Sequence, residues 1–248
     1  MFAKPVKAVL FDMDGLLIDT EAVYIDALQA AAAAMGLEMP LSFCHSMIGI
    51  PGPVCDGMIQ DFYGRDFILE TFGAHFDAHT RRRFESGVPV KAGAVELLDF
   101  LKQRRLPLAI ATSSSQATVK KHLGRSGLLD RFHAVATRDD VVRSKPHPDV
   151  YLEAARRLGV AAENCVAFED SNTGLTAAHA AGTMAIMVPD IVPPTNEVRA
   201  KCLQVVPDLH AALRLLREGA TFDVSAADLS APNVNAAGPS CSPPGRRA

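Results

Sequence analysis

The chain has 248 residues, 48% apolar and 21% charged, the proportions of an ordinary globular protein long enough to bury one large core or two modest ones. Its formal net charge of −3 gives no electrostatic reason to expect a nucleic acid or an anionic membrane surface as partner. The five cysteines, at 44, 55, 165, 202 and 241, are odd in number and scattered, without a CxxC pair. That argues against a disulfide framework or a thiolate zinc site and points to reduced thiols in a cytoplasm.

The first apolar run, Ala8-Val9-Leu10-Phe11, ends at once in Asp12, so it cannot be a signal-peptide core or span a bilayer. It reads as a strand running into Asp12-Met13-Asp14-Gly15. Side chains two apart on a strand share a face. Asp12 and Asp14 are therefore expected together at the strand's carboxyl end, where open α/β sheets place their ligands. Neighbouring carboxylates repel, and a hard divalent cation such as Mg²⁺ is the expected compensation. An Asp-rich turn is the plainer alternative.

From Thr20 to about Gly87 no strand pattern occurs. Glu21–Met35, Pro53–Tyr63 and Phe67–Glu85 read as helices, the first ended by Gly36. A βα connection usually takes about 2–6 residues, so 20–87 is expected to be an inserted helical cap. Its hinges fall near Ile18–Thr20 and Gly87–Val90, and residues 1–19 plus 88–222 form the core.

The later apolar runs are Leu108–Ala111, Ala134–Ala136, Cys165–Phe168 and Met184–Val188. They are continuous, as strands covered on both faces are. Helical patterns alternate with them at Ala92–Arg104, Ala117–Arg125, Pro148–Leu158 and Thr173–Ala181. The alternation predicts an α/β fold, a doubly wound parallel sheet with right-handed crossovers. Beyond Phe222 the composition shifts to Ala, Ser, Pro, Gly and Asn, so 223–248 is expected to be a disordered tail.

Each strand tip after the first carries a distinct group. Thr112 leads into Ser113-Ser114-Ser115; hydroxyls and amides opening a helix make a phosphate-binding corner, or simply an N-cap. Lys145 precedes Pro146, and Pro148 suits a helix start. The lysine is thereby held at a fixed point, able to offset charge between an attacking carboxylate and a phosphoryl group; a solvated loop lysine is the alternative. Glu169-Asp170 complete an oxygen cage around a metal, unless Asp170 or Ser171 merely caps the next helix.

With these four clusters in order, the chain resembles the haloacid dehalogenase-like hydrolase superfamily over about residues 6–215. Phe11-Asp12-Met13-Asp14-Gly15 looks like its first motif, Ala111-Thr112-Ser113-Ser114 its second, Ser144-Lys145-Pro146 its third, and Phe168-Glu169-Asp170-Ser171-Asn172-Thr173-Gly174 its fourth. The resemblance implies Asp12 as nucleophile, forming an aspartyl-phosphate, and Asp14 as general acid and then general base. It implies Mg²⁺ held by the Asp12 carboxylate, the Asp14 carbonyl and Asp170, with Glu169 behind them. Thr112, Ser113, Ser114 and Lys145 would bind the transferring phosphoryl group.

Family members that cleave carbon–halogen bonds lack a carboxylate matching Asp14. Those that cleave carbon–phosphorus bonds use a cap lysine, and 20–87 contains none. The expected reaction is therefore Mg²⁺-dependent hydrolysis of a small phosphorylated metabolite, a sugar phosphate or nucleoside monophosphate. A phosphosugar mutase resembling β-phosphoglucomutase is the alternative. Its kind grips a second phosphate with a cap arginine, and Ile48-Gly49-Ile50-Pro51-Gly52-Pro53 has none. A phospho-accepting receiver also combines Asp, Thr and Lys on such a sheet, but without the acid/base carboxylate or the insert. Tyr24, His45, Ser46 and Ile48 are candidates for contacting the alcohol. No pattern specifies an oligomeric state.

Overall fold

A computed structural model describes residues 2–48, 50 and 52–223; from residue 224 on, the expected tail lies outside them. In chain order the elements are β1 (Ala8–Phe11), α1 (Thr20–Ala34), α2 (Leu41–Ser46), α3 (Gly52–Tyr63), α4 (Leu69–Ser86), α5 (Ala94–Gln103) and β2 (Leu108–Ala111). They continue with α6 (Gln116–Arg125), β3 (Ala134–Ala136), α7 (Asp149–Arg157), β4 (Cys165–Glu169), α8 (Asn172–Ala180) and β5 (Met184–Met187). Last come α9 (Asn196–Arg199), β6 (Gln204–Val205) and α10 (Leu209–Gly219). The strands form one sheet in the order β3-β2-β1-β4-β5-β6, every pair parallel. This is the doubly wound α/β architecture the sequence predicts.

The strands alternate large with small residues instead of apolar with polar. Val9 and Phe11, Leu108 and Ile110, and Val166 and Phe168 face one side, against α5, α6 and α10. Ala8 and Leu10, Ala109 and Ala111, and Cys165 and Ala167 face the other, against α7 and α8. Phe11 stacks on Phe168 at 5.4 Å and meets Phe132 edge-on at 6.0 Å, each pair adding about 0.5–1.5 kcal/mol beyond area burial. The small-residue face brings α7 and α8 close to the sheet.

Residues 20–86 carry four helices and, among the described residues, no strand. They pack around an apolar cluster of their own that includes Ala31, Cys44, Ile59 and Phe72. The two connecting segments pair with each other: Ile18 bridges Val90 antiparallel, Asp19 N donates to Pro89 O at 2.8 Å, and Lys91 N to Leu17 O at 2.9 Å. No described helix is long and apolar enough to cross a membrane.

Candidate active site

Register places the candidate groups side by side. Phe11 pairs with Phe168 across β1 and β4, and with Ile110 across β1 and β2. One residue further, Asp12 therefore stands level with Glu169 and Ala111, and its amide donates to Phe168 O at 3.1 Å. β1 and β4 flank the crevice where the strand order reverses, the usual ligand position in such sheets.

Lys145, on the β3–α7 connection, joins the two carboxylates. Its Nζ donates to Asp12 Oδ1 at 2.5 Å and to Glu169 Oε1 at 2.6 Å, and its side chain is buried. Burial alone would lower the ammonium, but Asp12 and Glu169 outweigh it and raise it. Tyr151, fully buried on α7, donates its hydroxyl to Glu169 Oε1 at 2.6 Å, and Lys145 Nζ lies 5.0 Å from its ring centroid. Ser171 caps α8 by accepting from Gly174 N, and its N and Oγ donate to Glu169 Oε2 at 3.3 and 3.1 Å. Both oxygens of Glu169 are thus held by protein donors. Sequence reasoning missed Tyr151, because a tyrosine on the apolar face of a helix reads as core.

Asp14 is held differently. β1 has ended at Phe11, so strand alternation does not set its direction; Ser114 does, Oγ donating to Asp14 Oδ2 at 2.7 Å. Ser114 N in turn donates to Thr112 Oγ1 at 3.0 Å. Ser114, expected among the phosphate-binding groups, has its hydroxyl engaged with Asp14 and its amide with Thr112. Thr112 is buried and Ser113 exposed. The cap of α6 falls to Ser115. Burial raises the Asp14 carboxyl, opposed by the Ser114 hydrogen bond. His122, also near Asp14, is lowered by burial; it stacks on Phe84 with centroids 4.4 Å apart.

The carboxylates outnumber the cations. Burial pushes Asp12 up to about 7 against the pull of Lys145; burial also raises Asp170 well above its ordinary range, followed by the charges of Glu169 and Asp12. Oxygens of Asp12, Glu169 and Asp170 lie within 4.8 Å of one another. An all-oxygen, anion-rich cluster of this size suits a hard divalent cation. Glu169 is committed to Lys145, Tyr151 and Ser171 and Asp12 Oδ1 to Lys145, so the other oxygen of Asp12 and the carboxylate of Asp170 are the groups of this set that could hold one. Gly15 keeps Asp170 in place: its φ is +80°, and a Cβ there would lie 2.2 Å from Asp170 Oδ2.

The pattern of the haloacid dehalogenase-like hydrolases matches residues 9–188, which span all four clusters. The chain belongs to that family. It is 33% identical over 177 residues to the phosphorylated carbohydrates phosphatase of Thermotoga maritima, covering 71% of this chain and 82% of that protein. It is 34% identical over 187 residues to the fructose-1-phosphate phosphatase YqaB of Escherichia coli, covering 73% and 95%. Among solved structures it resembles a candidate beta-phosphoglucomutase from Thermotoga maritima with a TM-score of 0.75 and 30% identity, covering 86% of this chain and all of that one. The chain is an enzyme of this hydrolase family, and the two relatives matched by sequence are named phosphatases.

Proposed function

We propose that this enzyme hydrolyses small phosphate monoesters through an aspartyl-phosphate on Asp12, with Mg²⁺ as its cofactor. The observation that carries this reading is the separate tethering of the two acids, Asp12 by Lys145 and Asp14 by Ser114. Lys145 offsets part of the burial that raises Asp12 to about 7, and a cation bound beside it would further favour the ionised, nucleophilic form. Asp14 is buried beside a hydroxyl and raised, which favours carrying a proton.

In the first step an Asp12 oxygen bonds to phosphorus, the ester P–O bond breaks, and the Asp14 proton passes to the departing alkoxide. In the second, Asp14 takes a proton from water, whose oxygen attacks phosphorus and releases phosphate and free Asp12. Lys145, Thr112 and the Ser113 amide hold the phosphoryl oxygens as charge shifts among them. Mg²⁺, held by Asp12, the Asp14 carbonyl and Asp170, would supply counter-charge to the crowded oxygens. Closure of the 20–87 cap would exclude bulk water before the ester is cleaved. The four described cysteines are free, which supports a reducing, cytoplasmic setting.

Phosphosugar mutase remains the second reading, favoured by the likeness to the candidate beta-phosphoglucomutase and opposed by the sequence 48–53, which has no arginine. The test is steady-state hydrolysis of p-nitrophenyl phosphate with Mg²⁺. Multiple turnovers are expected, falling by at least about 10³-fold in Asp12→Asn; a folded Asp12→Asn enzyme with appreciable turnover would overturn the nucleophile assignment. Conversion of a hexose 1-phosphate to its 6-phosphate would favour the mutase.

A further inference from the structure

Helices α1 to α4 enclose a cavity of about 510 Å³, within the roughly 300–1,000 Å³ typical of small-molecule sites. Its wall is largely apolar, with Tyr24, Ile25, Ile59, Phe72 and Phe76 contributing aromatic and aliphatic faces. Its charged members are Glu21 and Asp56; no lysine, arginine or histidine lines it among the described residues. The α1 wall of the cavity starts at Glu21, just beyond Ile18, which bridges both Asp14 and Val90. There Glu21 and Tyr24 feel the charge of Asp14, and Glu21 that of Asp19 and Asp190 as well. Of the residues expected to meet the alcohol, Tyr24 and Ile48 line this space, whereas His45 and Ser46 do not.

We propose that this cavity receives the alcohol portion of the substrate, and that this alcohol is uncharged, with a flat ring whose faces can stack and an N–H donor on its edge, as in a pyrimidine nucleoside 5′-monophosphate. The proposal rests on the phosphomonoesterase reading and narrows it. A second phosphate or a carboxylate entering here would lose its water, find no cation, and face two carboxylates. A hexitol would bury more hydroxyls than a ribose does against a wall with few acceptors, each unmet hydrogen bond opposing binding. A planar ring instead lays its face against Tyr24, Phe72 or Phe76 and turns its edge donor to Glu21 or Asp56.

The wild-type enzyme with Mg²⁺ is assayed on uridine 5′-monophosphate, sorbitol 6-phosphate, fructose 1,6-bisphosphate and 2-phosphoglycolate. Expected is a kcat/KM for the nucleotide at least about tenfold above the hexitol phosphate and a hundredfold above the two substrates that carry a second anionic group. Smaller or reversed ratios overturn the proposal. If the enzyme cleaves esters through Asp12 but prefers another class, the substrate assignment alone fails. If no ester, p-nitrophenyl phosphate included, is cleaved through Asp12, the phosphomonoesterase reading fails with it.

Location is tested at Gly73 of α4, which lines the cavity and where an added Cβ meets nothing within 4 Å. Gly73→Leu suits a helix better than glycine and fills the space. It should cut kcat/KM for uridine 5′-monophosphate at least about tenfold more than for acetyl phosphate, which has no ring to place. Equal effects on the two overturn the placement.

Discussion

Gly174 shows how closely the residues around Glu169 are fitted. A Cβ at Gly174 would lie 1.9 Å from Glu169 Oε1, and that carboxylate cannot retreat, since Lys145, Tyr151 and Ser171 fix both its oxygens. Gly174→Ala is therefore expected to cost about 1–3 kcal/mol by overpacking and to lower kcat by pulling Lys145 off Asp12. Denaturant unfolding and p-nitrophenyl phosphate kinetics check the two effects; a variant as stable and active as wild type would contradict the tight fit. At this scale the sequence is most legible where polarity breaks an apolar run, as at Asp12, Thr112 and Glu169. It is least legible where one side chain does two jobs. Tyr151 is a core residue by its ring and a site residue by its hydroxyl, and its partner lies on another element.

At the scale of elements, the loop that carries Lys145 is tied down at its root. Thr137 caps the turn after β3 in a capping box with Asp140, whose carboxylate accepts from Thr137 N and Oγ1 at 2.8 and 2.7 Å and from Arg157 of α7 at 2.5 Å. Burial raises Asp140, but the hydrogen bonds from Thr137 and Arg157 outweigh it and hold the carboxyl below its ordinary value. A carboxyl lowered by folding stabilises fully above its unfolded pKa, and the benefit is lost as pH falls through the folded one. Asp140→Asn should thus cost about 1 kcal/mol near neutrality, and the gap from wild type should close in acid, below the ordinary carboxyl value of 3.8. Urea melts across that range decide it; a pH-independent gap would mean the charge is irrelevant. The long helices and buried strands are legible within a residue or two. α2 and α9 are not, since helices of six residues or fewer leave no periodic trace, and β6 is two residues without a buried apolar run. α10 has both an Asp208 cap and an apolar stripe, but follows the last strand–helix pair that the alternation marks.

Across the whole molecule, the unbalanced charge at the sheet's carboxyl end is a standing cost of the folded state. Asp12, Asp14, Glu169 and Asp170 gather there around one ammonium, Lys145. A cation that binds only the folded chain stabilises it by mass action, about 2.7 kcal/mol at a hundredfold excess over Kd. For a domain of this size that corresponds to roughly 5–10 °C in Tm. Adding Mg²⁺ in thermal melts should produce such a shift, and Asp170→Asn should remove most of it; an unmoved Tm would deny the cluster a metal.

The bridge between Ile18 and Val90 carries a consequence for how such a molecule can change. Because the chain departs and returns through one hydrogen-bonded doorway, everything between can be lengthened, shortened or replaced while the sheet's ladder stays intact, and closing a longer excursion adds only about 0.6 kcal/mol per doubling. Selection can therefore redraw the inserted helices without touching the sheet they leave and rejoin.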